Sequence, residues 1–91
     1  MKITNKLTTD YTLMHINIPT DKGIEHYTVE IERRNMDEDI YSVEILDLDN
    51  LDQILYSHFE IDSDYGIFDD RKLDEREEAI LLFIANRLRL D

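Results

Sequence analysis

The 91-residue chain has no cysteine and no tryptophan, a single proline and two glycines. The missing cysteine excludes disulfides, thiolate metal sites and thiol nucleophiles. Pro19, Gly23 and Gly66 are too few and too scattered to mark a linker, and no segment repeats, so residues 1–91 read as one domain. Long apolar runs are also missing. The longest is Ala79-Ile80-Leu81-Leu82-Phe83-Ile84-Ala85, far short of the roughly 20 residues that cross a bilayer. Met1-Lys2-Ile3-Thr4-Asn5-Lys6 holds no apolar stretch of signal-peptide length. The expectation is a cytoplasmic protein with no membrane partner. Neither GxxxxGK[ST] nor GxGxxG is present, so no phosphate-cradling loop is expected.

What the chain does have is acid. Asp and Glu total 22 against 10 Lys and Arg, a net charge of -12. Hydrophobic residues make up 42%, enough for a small core and too many for a disordered acidic tail. Solubility alone asks for a net charge of about 2–8 in a small domain. Such a chain repels nucleic acid and anionic membranes as a whole and attracts basic surfaces. Direct nucleic-acid binding is not expected: the basic doublets Arg33-Arg34 and Arg71-Lys72 are both flanked by acids.

The first half reads as strands. Tyr11 to Ile18 is rich in β-branched and aromatic residues, and Pro19 to Gly23 supplies turn chemistry. From Ile24 to Arg33, Tyr27, Val29 and Ile31 alternate with Thr28, Glu30 and Glu32. After a turn at 35–39, Tyr41, Val43 and Ile45 share one face of a third strand. Pairing Ile31 with Tyr41, Val29 with Val43 and Tyr27 with Ile45 makes every cross-strand pair apolar. In the first strand, Tyr11 and Leu13 lie on one face and Met14, Ile16 and Ile18 on the other, and either face can be the buried one. Residues 1–7, with Ile3 and Leu7, can add a short extra strand.

The second half shows helical spacing. Asp49 or Asn50 can cap a helix with Leu51, Ile54, Leu55 and His58 or Phe59 at three- and four-residue intervals. Glu60 to Asp70 reads as a loop. A last helix begins near Asp74, with Glu77 completing a capping box and Ile80, Leu81, Ile84 and Leu88 forming its stripe. The expected fold class is α+β: a three-stranded antiparallel meander, four-stranded if residues 1–7 join, followed by two helices packed on one face.

The acids concentrate between residues 46 and 78. Asp62, Asp64, Asp69 and Asp70 form the core of a candidate partner-binding surface, with Asp47, Asp49 and Asp52 beside them and Asp37, Glu38 and Asp39 extending it. Aspartate holds its carboxylate close to the backbone, so a loop of aspartates is a comparatively fixed array of charge. Tyr56 and Tyr65 are interleaved and could rest against arginines of a partner.

Other chemistries fail on spacing. Asp62-Ser63-Asp64-Tyr65-Gly66 begins like a calcium-binding EF-hand loop, but glycine falls at position five and Leu73 occupies the position of the bidentate glutamate. Asp47 to Asp52 fails in the same way. His15, His26 and His58 lack metal-ligand spacing. Ser57 and His58 are neighbours on the expected helix and point apart. No enzyme activity, cofactor or metal is expected.

In the order of its elements and its charge, the chain resembles the small acidic proteins that phages and mobile elements direct against host nucleic-acid enzymes, in particular DNA-mimic anti-CRISPR proteins. The comparable stretch runs from Tyr41-Ser42-Val43-Glu44-Ile45-Leu46 through Asn50 to Phe59 and on to the acidic loop and last helix. The resemblance implies a stoichiometric inhibitor whose carboxylates occupy the basic groove of a nucleic-acid-binding enzyme, such as the CRISPR effector Cas9. The partner is then a basic nucleic-acid-binding protein or nuclease. Two alternatives stand beside it: an immunity protein against a basic nuclease toxin, and an assembly module that uses the Met14, Ile16, Ile18 face of the first strand. Monomer and dimer are both open.

Overall fold

The structure is a computed structural model and describes residues 7–35, 37–49, 55–68 and 71–89. Its elements are β1 (Tyr11–Thr20), β2 (Gly23–Arg33), β3 (Ile40–Asp47), β4 (Leu55–Asp62) and α1 (Glu75–Arg89). The strands form one antiparallel sheet in the order β1-β2-β3-β4. The fold is α+β, and α1 covers one face of the sheet.

Period-two alternation sets which face is covered. Met14 and Ile16 of β1, Tyr27, Val29 and Ile31 of β2, Tyr41, Val43 and Ile45 of β3, and Phe59 and Ile61 of β4 are buried on the helix side. Ile80 and Ile84 of α1 close over them, with Leu81 and Leu88 partly buried alongside. Each fully buried aliphatic side chain of this kind contributes about 1.5–3 kcal/mol. Burial of Met14 and Ile16 settles the orientation of the first strand. The chain's own helix fills the face that the assembly reading needed.

The hairpins differ in how well the sequence placed them. β1 and β2 pair from Tyr11↔Glu32 to Thr20↔Gly23. Gly23 takes φ +125° at the turn, a backbone conformation that favours glycine. The β2–β3 register is displaced by two residues from the expected one: Ile31 pairs with Val43, Val29 with Ile45 and Arg33 with Tyr41. A two-residue slip keeps every side chain on its face. The observed register sets the Arg33 guanidinium over the Tyr41 ring, 5.0 Å from its centroid. The same guanidinium also bonds Asp10 at 3.1 Å.

The expected first helix is corrected. Residues 55–59 belong to β4, which pairs with β3 from Ile40↔Asp62 to Leu46↔Leu55; residues 50–54 lie outside the described residues. Exposed β3 backbone offers these residues a hydrogen-bonding partner, and Phe59 and Ile61 extend the buried face. The ladder skips Tyr56, one extra residue on β4. The skip turns both Tyr56 and Ser57 toward the helix, where Tyr56 packs on Tyr27 with centroids 5.7 Å apart. β4 also takes Glu60 to Asp62 from the expected loop. The proposed strand at residues 1–7 lies outside the described residues apart from Leu7, which is buried and accepts the Tyr41 hydroxyl at 2.9 Å.

The last helix starts as its spacing predicts. The Glu77 N–H donates to Asp74 Oδ1 at 2.7 Å, and the Asp74 N–H donates to Glu77 Oε1 at 2.8 Å. This reciprocal box satisfies two donors at the helix start. Glu77 is 2% exposed. Its second oxygen accepts the Ser57 hydroxyl and the Arg71 guanidinium, so a buried carboxylate ties β4, the segment before the helix and the helix itself.

Candidate functional site

The described residues among those singled out from sequence do not form one surface. Ile40 pairs with Asp62, so the β2–β3 turn with Asp37, Glu38 and Asp39 shares one end of the sheet with Asp62, Asp64 and Tyr65. Asp47 and Asp49 lie at the other end, where Asp47 pairs with Tyr27. β3 has 8 residues, which separates the two poles by roughly 25 Å at about 3.3 Å per residue. Asp52, Asp69 and Asp70 lie outside the described residues.

Several of these acids serve the chain itself. Asp62 Oδ1 accepts the N–H groups of Asp64 at 2.8 Å and Gly66 at 3.0 Å, an aspartate turn that shapes the loop. Asp47 Oδ1 accepts the Asp49 N–H at 2.9 Å. Asp49 in turn accepts the His26 N–H at 2.9 Å and meets His26 Nδ1 at 3.0 Å. The backbone bond from His26, followed by the side-chain bond, lowers the Asp49 pKa below the ordinary carboxylate value. Tyr65 is 8% exposed and takes φ +67°. It belongs to the core, so the expected contact of its ring with a partner's arginine is corrected. Tyr56 is likewise packed within the chain. Asp37, Glu38 and Asp64 are exposed. Asp39, 79% exposed in its side chain, sits 3.6 Å from Arg33.

The larger ordered array lies elsewhere, on the sheet face opposite the helix. Direct cross-strand neighbours make rows on that face. One row is Leu13, Glu30, Glu44 and His58, and the next is Tyr11, Glu32, Ser42 and Glu60. Four glutamates thus stand on three adjacent strands. Their carriers are about 5 Å apart across strands and about 7 Å apart along a strand. Among the described residues Arg34 pairs with Glu60 at 3.3 Å. Elsewhere Arg33, Arg71 and Arg76 are bound to Asp10, Glu77 and Glu25. The Tyr11 hydroxyl donates to Glu30 at 2.9 Å. That bond, then burial, then the charges of Glu30 and Glu32 raise the Tyr11 pKa. The sequence shows Glu30 and Glu32 only as the polar half of one strand's alternation and puts Glu60 in a loop, so the four are not grouped. The rows exist across strands and not along any one of them.

The open face also joins Ser42 and His58, whose Oγ and Nε2 are 2.8 Å apart. They come from different strands, so spacing in sequence could not pair them. Among the described residues, no carboxylate bonds the other ring nitrogen, and the pair lies on an open sheet face. It lacks the orienting third group that activates a nucleophile. His15 meets Thr28 at 3.2 Å. No group of His, Asp and Glu among the described residues is arranged to hold a metal ion, and no described helix is long and apolar enough to cross a membrane.

Fold and surface together define a class: a small α+β domain with one sheet face covered by a helix and the other lined with carboxylates. No family model, curated protein or solved structure gives a significant match to the chain.

Proposed function

We propose that this chain is a stoichiometric protein inhibitor that fills the basic groove of a nucleic-acid-binding enzyme and keeps nucleic acid out. The observation that carries the reading is the placement of Glu30 directly opposite Glu44, with Glu32 and Glu60 in the adjoining row. Like charges directly opposite across strands destabilise a sheet. A surface that holds them there presents a concentrated negative field on a rigid support. Duplex DNA offers one phosphate charge per roughly 1.7 Å of axis, and arginines and lysines that normally hold phosphates can pair with such carboxylates. Asp37, Glu38, Asp39 and Asp64 would extend the contact past one end of the sheet. The target class is a nuclease or related enzyme inside the cell. CRISPR effector nucleases are the first to test, and nuclease toxins belong to the same class.

The test is a pulldown from bacterial lysate followed by competition between the purified partner, this protein and duplex DNA. The expected partner is a basic nucleic-acid enzyme that excess duplex displaces. Its association should be fast and should weaken with salt. The triple variant Glu30→Gln, Glu32→Gln, Glu44→Gln should lose at least tenfold in affinity, on the order of 1.4 kcal/mol. A partner that ignores both DNA and the triple variant sinks the reading.

A further inference from the structure

The two edges of the sheet are treated differently. The outer edge of β4 is occupied by the chain's own return: the Asp62 N–H donates to Gly66 O at 2.9 Å, the Phe68 N–H donates to Glu60 O at 2.9 Å, and Arg71 donates to the His58 carbonyl. The outer edge of β1 carries no such cover among the described residues. The Arg33 N–H donates to Asp10 O, so even-numbered residues of β1 turn their backbone groups toward β2. The N–H and C=O groups of Tyr11, Leu13, His15 and Asn17 then face outward. Among the described residues two side chains reach them: the Thr9 hydroxyl bonds the Tyr11 carbonyl at 2.9 Å, and Arg87 reaches the His15 carbonyl at 3.4 Å.

β1 is also the one strand with no Asp, Glu, Lys or Arg, in a chain where such residues make up 35%. Edge strands are usually blunted by charge. No residue of β1 supplies it; the charge at this edge is the Arg87 guanidinium, which pairing would displace from the His15 carbonyl. Leu13 beside it is 52% exposed.

We infer that the β1 edge pairs antiparallel with β1 of a second copy about a two-fold axis at Met14, joining the two sheets into one. Charge leaves this edge as the place where a like copy can approach. Two chains of net charge -12 repel over most of their surfaces. Across paired β1 edges, the nearest facing glutamates sit on the two β2 strands, three strand spacings or about 14 Å apart. That exceeds the screening length of about 8 Å at physiological salt. Pro19 selects the register. It has no N–H to give, and a two-fold axis at Met14 leaves it outside the pairing. Tyr11 then exchanges bonds with Asn17 of the second copy, and Leu13 with His15, so all four outward residues are used. The contact is isologous, with both helices on the same face. It does not rest on the inhibitor reading.

Salt separates the two. Dimerisation of like-charged copies tightens as salt screens their repulsion, whereas binding to a basic partner weakens. The experiment is sedimentation equilibrium of the full chain at 0.1 M and 1 M NaCl, where the screening length falls from about 10 Å to about 3 Å. The expected result is a monomer–dimer equilibrium about tenfold tighter at the higher salt. Asn17→Pro removes an outward N–H that no described group uses, and should leave a folded monomer by circular dichroism. If that variant does not fold, Leu13→Lys gives the same reading by placing charge on the edge. A wild type that stays monomeric throughout, a dimer that survives these variants, or a dimer that loosens with salt overturns the inference. So does a monomeric wild type whose capture of a basic partner is lost in Asn17→Pro, which assigns the edge to that partner.

Discussion

Glu30 of β2 and Glu44 of β3 are direct cross-strand partners on the open face of the sheet. The adjoining row on each strand is polar or acidic as well, with Glu32 opposite Ser42. Nothing in the packing of the helix requires this, because both residues lie on the face the helix leaves open.

Relief of that pair should therefore stabilise the fold. Glu44→Gln is expected to raise stability by about 0.2–1 kcal/mol, and Glu44→Lys, which makes an opposite-charge pair, by at least as much. Urea denaturation at low salt checks this. The gain should shrink as salt screens the pair. An unchanged or lowered midpoint at low salt would show that Glu30 and Glu44 do not oppose folding.

Glu77 is expected to behave in the opposite way. Its buried carboxylate receives Ser57, Arg71 and the Asp74 N–H. Glu77→Ala leaves those groups without their acceptor and should cost about 3 kcal/mol, within the range for breaking a buried charged network. Asp74→Ala removes the other half of the capping box and a long, exposed 3.4 Å bond from the Tyr56 hydroxyl, and should cost about 1 kcal/mol. Thermal unfolding of the two variants side by side tests the ranking.

Asp62 and Asp64 are neighbours in sequence with separate roles. Asp62 accepts two backbone N–H groups in its own turn, so Asp62→Ala should cost about 1–2 kcal/mol. Asp64 is exposed, and Asp64→Asn should fall within about 0.5 kcal/mol of the parent. Denaturant unfolding distinguishes them, and any loss of partner binding in Asp64→Asn can then be read as a surface effect.

Tyr27 makes stability fall at high pH. Its hydroxyl donates to Glu25 at 2.8 Å and accepts from Arg76 at 3.1 Å. Burial, followed by the charges of Asp47 and its neighbours, raises its pKa to about 12. In the unfolded chain the phenol ionises near 10. The unfolded state therefore loses its proton first. The stabilisation is complete below about pH 10 and drains away toward about pH 12. Unfolding midpoints across that window should fall, and Tyr27→Phe should flatten the slope. Some slope should remain, because the pKa values of Tyr41 and Tyr56 are raised as well, in each case chiefly by burial.

Legibility followed local chemistry. The Asp74–Glu77 box and the stripe of Ile80 and Ile84 are signals within a single element, and they placed α1 correctly. β1 is legible from its β-branched and aromatic residues, and β2 and β3 from alternation. The expected β2–β3 register differs from the observed one by two residues because pairs two apart share a face, and the Arg33–Tyr41 stacking that accompanies the true register is a long-range contact. β4 was hidden by two local departures. Ser57 is a small polar residue at a buried position, balanced only by Glu77 twenty positions later. The skipped Tyr56 breaks the alternation beside it. What remained was the three- and four-residue spacing of Leu51, Ile54, Leu55 and His58. The acidic poles were visible as runs of aspartate. The glutamate rows were not, because they exist only once the strands stand side by side.

The return of the chain along β4 sets an upper limit on growth. Gly66, Phe68 and Arg71 occupy the Asp62 N–H and the Glu60 and His58 carbonyls, three of the outward groups that a further strand would need. A sheet with one stopped edge can be extended from one side only, and extension by a like copy consumes that side on both molecules. On the proposed β1 pairing, strand addition stops at the dimer, because the covered part of β4 offers a further strand no matching run of backbone groups.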